Sequence, residues 1–206
     1  MRPRWDWEAT FTATRPIWNW GRKIYSKSDI EIFRTAAEYV RQDLQRLGEG
    51  RDVFGLIHRD IQAKNLVFDG DQVHAIDFEG CGWGHYLFDL ALISLRLESR
   101  EGEHGALHEA LLEGYRQVRP LPAHYEQYLE TFAVIRLVER VNVLLRRSRD
   151  TLSHHQGRTY LPASARRLER FVHNKRNRGV RKFLPARARH ALGKLKAGMY
   201  PPRTDL

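Results

Sequence analysis

The sequence holds one cysteine, Cys81, in 206 residues. That excludes an internal disulfide and any cysteine-cluster metal site. It has no run of about 18 apolar residues, the length a membrane-spanning helix needs. The first ten residues, MRPRWDWEAT, contain no apolar core and no small-residue cleavage site, so they do not read as a secretory signal. A reducing cytoplasm is the expected compartment. There is no internal repeat.

What remains is an ordinary globular mixture, 42% apolar and 29% charged, with a net charge of +10. The charge is not evenly spread. Residues 158–196 carry 13 Lys and Arg against a single acid, Glu169, which leaves residues 1–157 at −2. The basicity belongs to the end of the chain, so the body of the protein does not read as a nucleic-acid binder. A basic tail over 175–206 could touch nucleic acid or an anionic membrane, or extend into solvent as a partly helical segment.

Residues 1–27 are rich in aromatics (Trp5, Trp7, Phe11, Trp18, Trp20, Tyr25) and broken by Pro3 and Pro16. Such a segment is too short to enclose its own core and is expected to lie across the rest as a connector. Ser28-Asp29-Ile30-Glu31 has the form of a capping box. It opens an expected helix with Ile32, Phe33, Ala36, Ala37, Val40, Leu44 and Leu47 on its apolar face, stopped by Gly48 and Gly50. Val53–Ile57 reads as a buried strand. Leu66–Phe68 and Val73–Ile76 flank Asp69-Gly70-Asp71-Gln72 as a hairpin. Helices are expected at Leu87–Leu97, Ala106–Val118, Ala123–Arg147 and Ala163–Asn174. The main domain therefore spans 28–174.

The chemistry-bearing stretch is His58-Arg59-Asp60-Ile61-Gln62-Ala63-Lys64-Asn65, followed eleven residues after Asn65 by Ile76-Asp77-Phe78. Asp60, Asn65 and Asp77 are each bracketed by strand-like apolar residues, which suits polar groups at strand ends converging on one cleft. Phosphoryl transfer needs such a set: a carboxylate to orient the attacking group and receive its proton, and hard oxygen ligands for Mg²⁺.

At these residues the sequence resembles the aminoglycoside phosphotransferase and choline kinase family, relatives of the protein kinases. His58-Arg59-Asp60 through Asn65 is similar to that family's catalytic loop, and Ile76-Asp77-Phe78 to its metal-binding strand. Gly82-Trp83-Gly84-His85-Tyr86-Leu87-Phe88-Asp89-Leu90-Ala91 resembles the loop and helix that follow. The resemblance implies an α+β, protein-kinase-like C-terminal lobe, mostly helical, with a short β hairpin at the catalytic loop. It implies transfer of the γ-phosphoryl of ATP to a hydroxyl or amine of a small molecule. Asp60 would be the base, Asn65 and Asp77 the Mg²⁺ and nucleotide ligands, and His58 and Asp89 structural supports.

Two departures stand out. The family usually has Gly where Arg59 stands, so Arg59 either crowds the loop or anchors a nearby acid. No Gly-x-Gly-x-x-Gly occurs anywhere, so the N-terminal lobe that grips the nucleotide is expected to be absent from this chain. Two other readings compete: a non-catalytic scaffold derived from a kinase, and an RNA- or membrane-surface protein working through the tail. Glu79, Glu98, Glu101 and Glu103 would suit ammonium groups of a cationic acceptor, or simply a solvated loop. His85, His154 and His155 lack a second ligand pair and read as surface or satisfied histidines. Cys81 reads as a bystander.

Overall fold

The computed structural model describes residues 2–12, 21–97, 104–147 and 155–182. Trp18, Trp20, Glu98, Glu101, Glu103, His154 and the tail from 183 lie outside the described residues. The elements run in the order α1 (Trp7–Phe11), α2 (Lys27–Leu47), β1 (Phe54–Ile57), β2 (Leu66–Asp69), β3 (Gln72–Ala75), β4 (Gly82–His85), α3 (Leu87–Leu97), α4 (His104–Val118), α5 (Tyr125–Arg147) and α6 (His155–Lys182). Among them no helix is long and apolar enough to cross a membrane.

α2 starts earlier than its sequence pattern suggests. The N-cap is Ser26, not Ser28, and the reciprocal partner is Asp29, not Glu31. Two serines two residues apart, each with an acid three residues on, offer the same signature in two registers. The buried face of the helix is Ile30, Phe33, Ala36, Ala37, Val40 and Leu44, while Ile32 and Leu47 sit at its margin. Gly48, at φ 72, closes the helix in a conformation that side chains resist.

The small β region forms two antiparallel pairs. β2 and β3 run from Leu66↔Ala75 to Asp69↔Gln72, so the connecting turn is only Gly70-Asp71. β1 pairs with β4 from Phe54↔His85 to Ile57↔Gly82. β4 is invisible to strand propensity because two of its four residues are glycine. Its packing requires them: a Cβ on Gly82 would fall on the Pro3 carbonyl and the Trp5 indole. Pro3–Trp5 lies along β4, with Trp5 N–H donating to the Trp83 carbonyl at 2.7 Å and Trp83 N–H to Pro3 at 2.9 Å. Trp5 and Trp7 pack at the margin of the core and Phe11 and Tyr25 are inside it.

The core is helical. α5 packs against α3, α6 and α2, and α2 also against α6. Phe33, Val40, Phe132, Val138, Val141 and Leu168 are almost fully buried there. α6 passes through Pro162 and continues beyond the expected end at Asn174 to Lys182. Pro162 has no N–H to give to the helix ladder, and its neighbour Leu161 is buried in the core. Beyond Asn174 polar anchors replace the apolar stripe. Asn174 donates to Glu130 and Arg178 pairs with it, while buried Lys175 pairs with buried Asp43, to which Thr131 also donates.

His85 is buried, its ring between Phe54 and Phe132, with Nε2 donating to the Gly48 carbonyl at 2.8 Å. It is a satisfied core histidine. Burial pushes its imidazole below the ordinary value, only partly offset by the Gly48 bond. The unfolded chain then binds the proton more readily than the folded one. The stability from neutral His85 is present above pH ~6.5 and lost as pH falls through the lower folded value. The melting temperature should drop on acidification below about pH 6.5, and His85→Gln, which keeps a donor for Gly48, should flatten that limb. An identical acid limb in the variant would count against the assignment.

Candidate active site

The loop between β1 and β2 is held from three directions. From α3, Asp89 accepts the backbone N–H of His58 at 2.8 Å and that of Arg59 at 2.7 Å. Burial pushes the Asp89 carboxyl up and these two bonds pull it back. From the hairpin, the Ile76 carbonyl accepts from His58 Nε2 at 2.8 Å, and Ile76 N–H donates to the Asn65 carbonyl at 3.0 Å. Since a carbonyl only accepts, His58 carries its proton on Nε2, which leaves Nδ1 to accept from Asp60 N–H at 3.3 Å. The third hold comes from α5.

Arg59 sits at φ 72, the left-handed conformation that a glycine would adopt without strain. The two backbone bonds from Asp89 fix that bend. The side chain does not crowd the loop. It reaches Glu139 on α5 at 2.7 Å and stacks on the Trp5 indole, with Cζ 3.3 Å from the ring centroid. Arg59 Nε is buried without a hydrogen-bond partner, which the indole face partly offsets. Arg136, one turn from Glu139, pairs with Glu139 at 3.4 Å and with Asp60 Oδ1 at 3.1 Å. An alternating chain Arg59–Glu139–Arg136–Asp60 thus links the loop to α5. Sequence patterning missed Arg136 and Glu139, which look like any polar pair on an amphipathic helix.

Asp60 and Asn65 meet directly. Asn65 is buried, and its Nδ2 donates to the Asp60 carbonyl at 2.8 Å and to Asp60 Oδ2 at 3.2 Å. Gln62 Nε2 also donates to Oδ2, at 2.8 Å. Those bonds orient the Asn65 amide, so its oxygen is the atom available to a ligand. Asp77 immediately follows Ile76, the residue joined to the loop through both its carbonyl and its N–H. It takes up φ 67 and is exposed. No protein hydrogen bond or ion pair engages its carboxylate among the described residues. Phe78 packs against the His58 ring at 4.6 Å. Cys81 is buried and Glu79 exposed. Among the described residues no three His, Cys, Asp or Glu side chains cluster as a self-sufficient metal site.

Residues 2–130 match the phosphotransferase enzyme family. The chain belongs to that family. Two curated relatives are the amicoumacin kinase of Bacillus subtilis (strain 168), 28% identical over 72 residues, and the homoserine kinase of Neisseria meningitidis serogroup B, 37% identical over 81 residues. These alignments cover 35% and 37% of this chain but 21% and 26% of the relatives. Among solved structures, a microcompartment-associated aminopropanol kinase superposes with a TM-score of 0.68 at 27% identity, over 84% of this chain and 55% of that one. An amicoumacin kinase in complex with AMP-PNP, Ca²⁺ and Ami superposes at 0.62 and 18% identity, over 82% and 50%. The phosphotransferase fold is thus kinase-like, α+β and mostly helical, and the chain spans about half the length of these solved relatives.

Proposed function

We propose that this phosphotransferase-family chain supplies the base and the metal ligands for moving the γ-phosphoryl group of ATP to a hydroxyl or amine of a small molecule. The observation that carries the reading is the Asp60–Asn65 contact, with the strand end bearing Asp77 tied to the same loop at Ile76. The relatives named above are all small-molecule kinases, which supports a small-molecule acceptor.

Asp60 is the group to orient the acceptor and take its proton. Its Oδ2 is fixed by Asn65 and Gln62 and its Oδ1 by Arg136, so the carboxylate is preorganised rather than searching rotamers. Asn65 and Asp77 together offer an amide oxygen and a carboxylate. That hard-oxygen pair fits Mg²⁺, which takes its remaining ligands from water and phosphate rather than from a full protein cage. When bound, the ion neutralises charge on the phosphate oxygens.

The sequence contains no Gly-x-Gly-x-x-Gly loop to hold those phosphates. The apolar side chains of Leu56, Val67, Phe68, Val73, Phe78 and Trp83 are 46–68% exposed around the two strand pairs. A patch of that kind is normally covered by another protein surface, and we infer that the phosphate-gripping elements come from a segment or chain seated there. Purified residues 1–206 should then turn ATP over far below ordinary kinase rates of roughly 1–100 per second. Residual Mg-nucleotide binding should be lost in Asp77→Ala. Turnover at ordinary rates would overturn the inferred missing grip, and binding indifferent to Asp77 would overturn the metal assignment.

A further inference from the structure

The side chain that holds Asp60 Oδ1 also forms a wall of a small cavity. Arg136, Leu137, Tyr160, Ser164 and Arg167 surround about 150 Å³ between α5 and α6. At ~30 Å³ per water, that is room for one compact group and a short stem. Of the five N–H donors of a guanidinium, Arg136 directs one nitrogen to Asp60 and another to Glu139. Arg140 Cζ lies 5.4 Å from the Tyr160 ring centroid. Arg136 and Arg167 line the cavity beside Tyr160; burial pushes the Tyr160 phenol up, while the charges of Arg140, Arg167 and Arg136 draw it down. The acids of this stretch of α5 have cationic or amide partners: Glu139 meets Arg59 and Arg136, and Glu130 meets Asn174 and Arg178.

We propose that this cavity receives an anionic group of the phosphate acceptor, a carboxylate or a phosphate, so that the acceptor is a small hydroxylated acid and not a polycation. The proposal rests on the reading of Asp60 as the base. Planar guanidinium groups suit either anion, offering paired parallel N–H bonds. Tyr160 adds a hydroxyl donor whose burial strengthens its preference for a charged acceptor of hydrogen bonds. Arg136 touches both the base and the cavity. It would therefore set the spacing between the anionic end of the acceptor and the hydroxyl presented to Asp60. An ammonium group in the same place would meet the guanidinium-bearing side chains of Arg136 and Arg167.

The test is a titration of the full chain at low salt, without nucleotide, followed by NMR. The probes are 4-hydroxybutyrate, glycerol 3-phosphate, 1,4-butanediol and 4-aminobutan-1-ol. At least one anion should bind about tenfold or more tightly than the diol, with the amino alcohol weakest. The two anionic arms distinguish carboxylate from phosphate. Arg167→Gln and Arg140→Gln should each weaken the anion severalfold and leave the diol unchanged. Arg140 is exposed, so its variant remains informative if Arg167→Gln misfolds. Equal affinity for anion and diol, no binding of either anion, or variants without effect would overturn the proposal. Mg-nucleotide binding that depends on Asp77 but comes with no anion preference sinks this inference alone. Anion preference alongside nucleotide binding that is indifferent to Asp77 sinks the metal assignment and leaves the anion site standing.

Discussion

Asp43→Ala should destabilise the protein by about 3–5 kcal/mol, the cost of stranding a buried charge. Asp43 and Lys175 are 2% and 8% exposed, and they join α2 to α6. Burial pushes the Lys175 ammonium down and the bond to Asp43 pulls it back. Without Asp43 that ammonium keeps, among the described residues, Thr131 at 3.4 Å, the face of Phe171 at 5.2 Å and the more distant charge of Glu130. At roughly 2–4 °C per kcal/mol for a domain of this size, the melting temperature should fall by about 6–20 °C. Lys175→Met should cost less, because Asp43 retains Thr131 and an exposed pair with Arg46 at 3.2 Å. The double variant Asp43→Leu/Lys175→Met should recover much of the loss, since an apolar replacement of a buried pair is often tolerated. Denaturant midpoints decide the matter: a loss below about 1 kcal/mol for Asp43→Ala would show a solvated charge rather than a buried one.

Asp60→Asn should lower phosphotransfer by about 10²–10⁴-fold wherever turnover is measured, while nucleotide affinity stays near that of the unaltered chain. The substitution preserves shape and leaves an acceptor for Asn65 or Gln62, but it removes the group that takes the proton. It also leaves Arg136 with Glu139 as its one carboxylate partner. Asp60→Ala should be at least as damaging to turnover. If the asparagine variant kept a third or more of its activity, Asp60 would be orienting the loop and not accepting a proton.

The parts of the site legible in the sequence are those built from neighbours. Asp60 and Asn65 are five residues apart on one loop, and Asp77 follows a hairpin whose turn carries Gly70-Asp71. Their mutual placement is mostly local geometry, which residue types and spacing encode. The parts that could not be read depend on which helix packs on which. Nothing in the sequence marks Asp43, on the amphipathic α2, as the buried partner of Lys175 on α6. Arg136 and Glu139 gave no signal because charge on a helix face is ordinary. β4 was hidden by glycines that its contacts with Pro3 and Trp5 require. The start of α2 was ambiguous because both candidate caps satisfy the same local rule; in the structure Ser26 and Asp29 make the reciprocal bonds.

The contact between Arg59 and Trp5 has a consequence in time. Trp5 Nε1 bonds the Gly80 carbonyl 75 residues away in sequence, whereas β2 and β3 close across two residues. Each doubling of a closed loop adds about 0.6 kcal/mol of entropic cost, so this closure is about 3 kcal/mol harder than a hairpin's. Contacts of such separation form after the local ones that reward them. The hairpin and its bonds to Asn65 and His58 can assemble first, and Asp89 then bends the backbone at Arg59. The indole is laid over the guanidinium only once β4 offers an edge to Pro3–Trp5. Until that strand docks, the left-handed bend behind Asp60 is held by one carboxylate instead of being clamped from both sides.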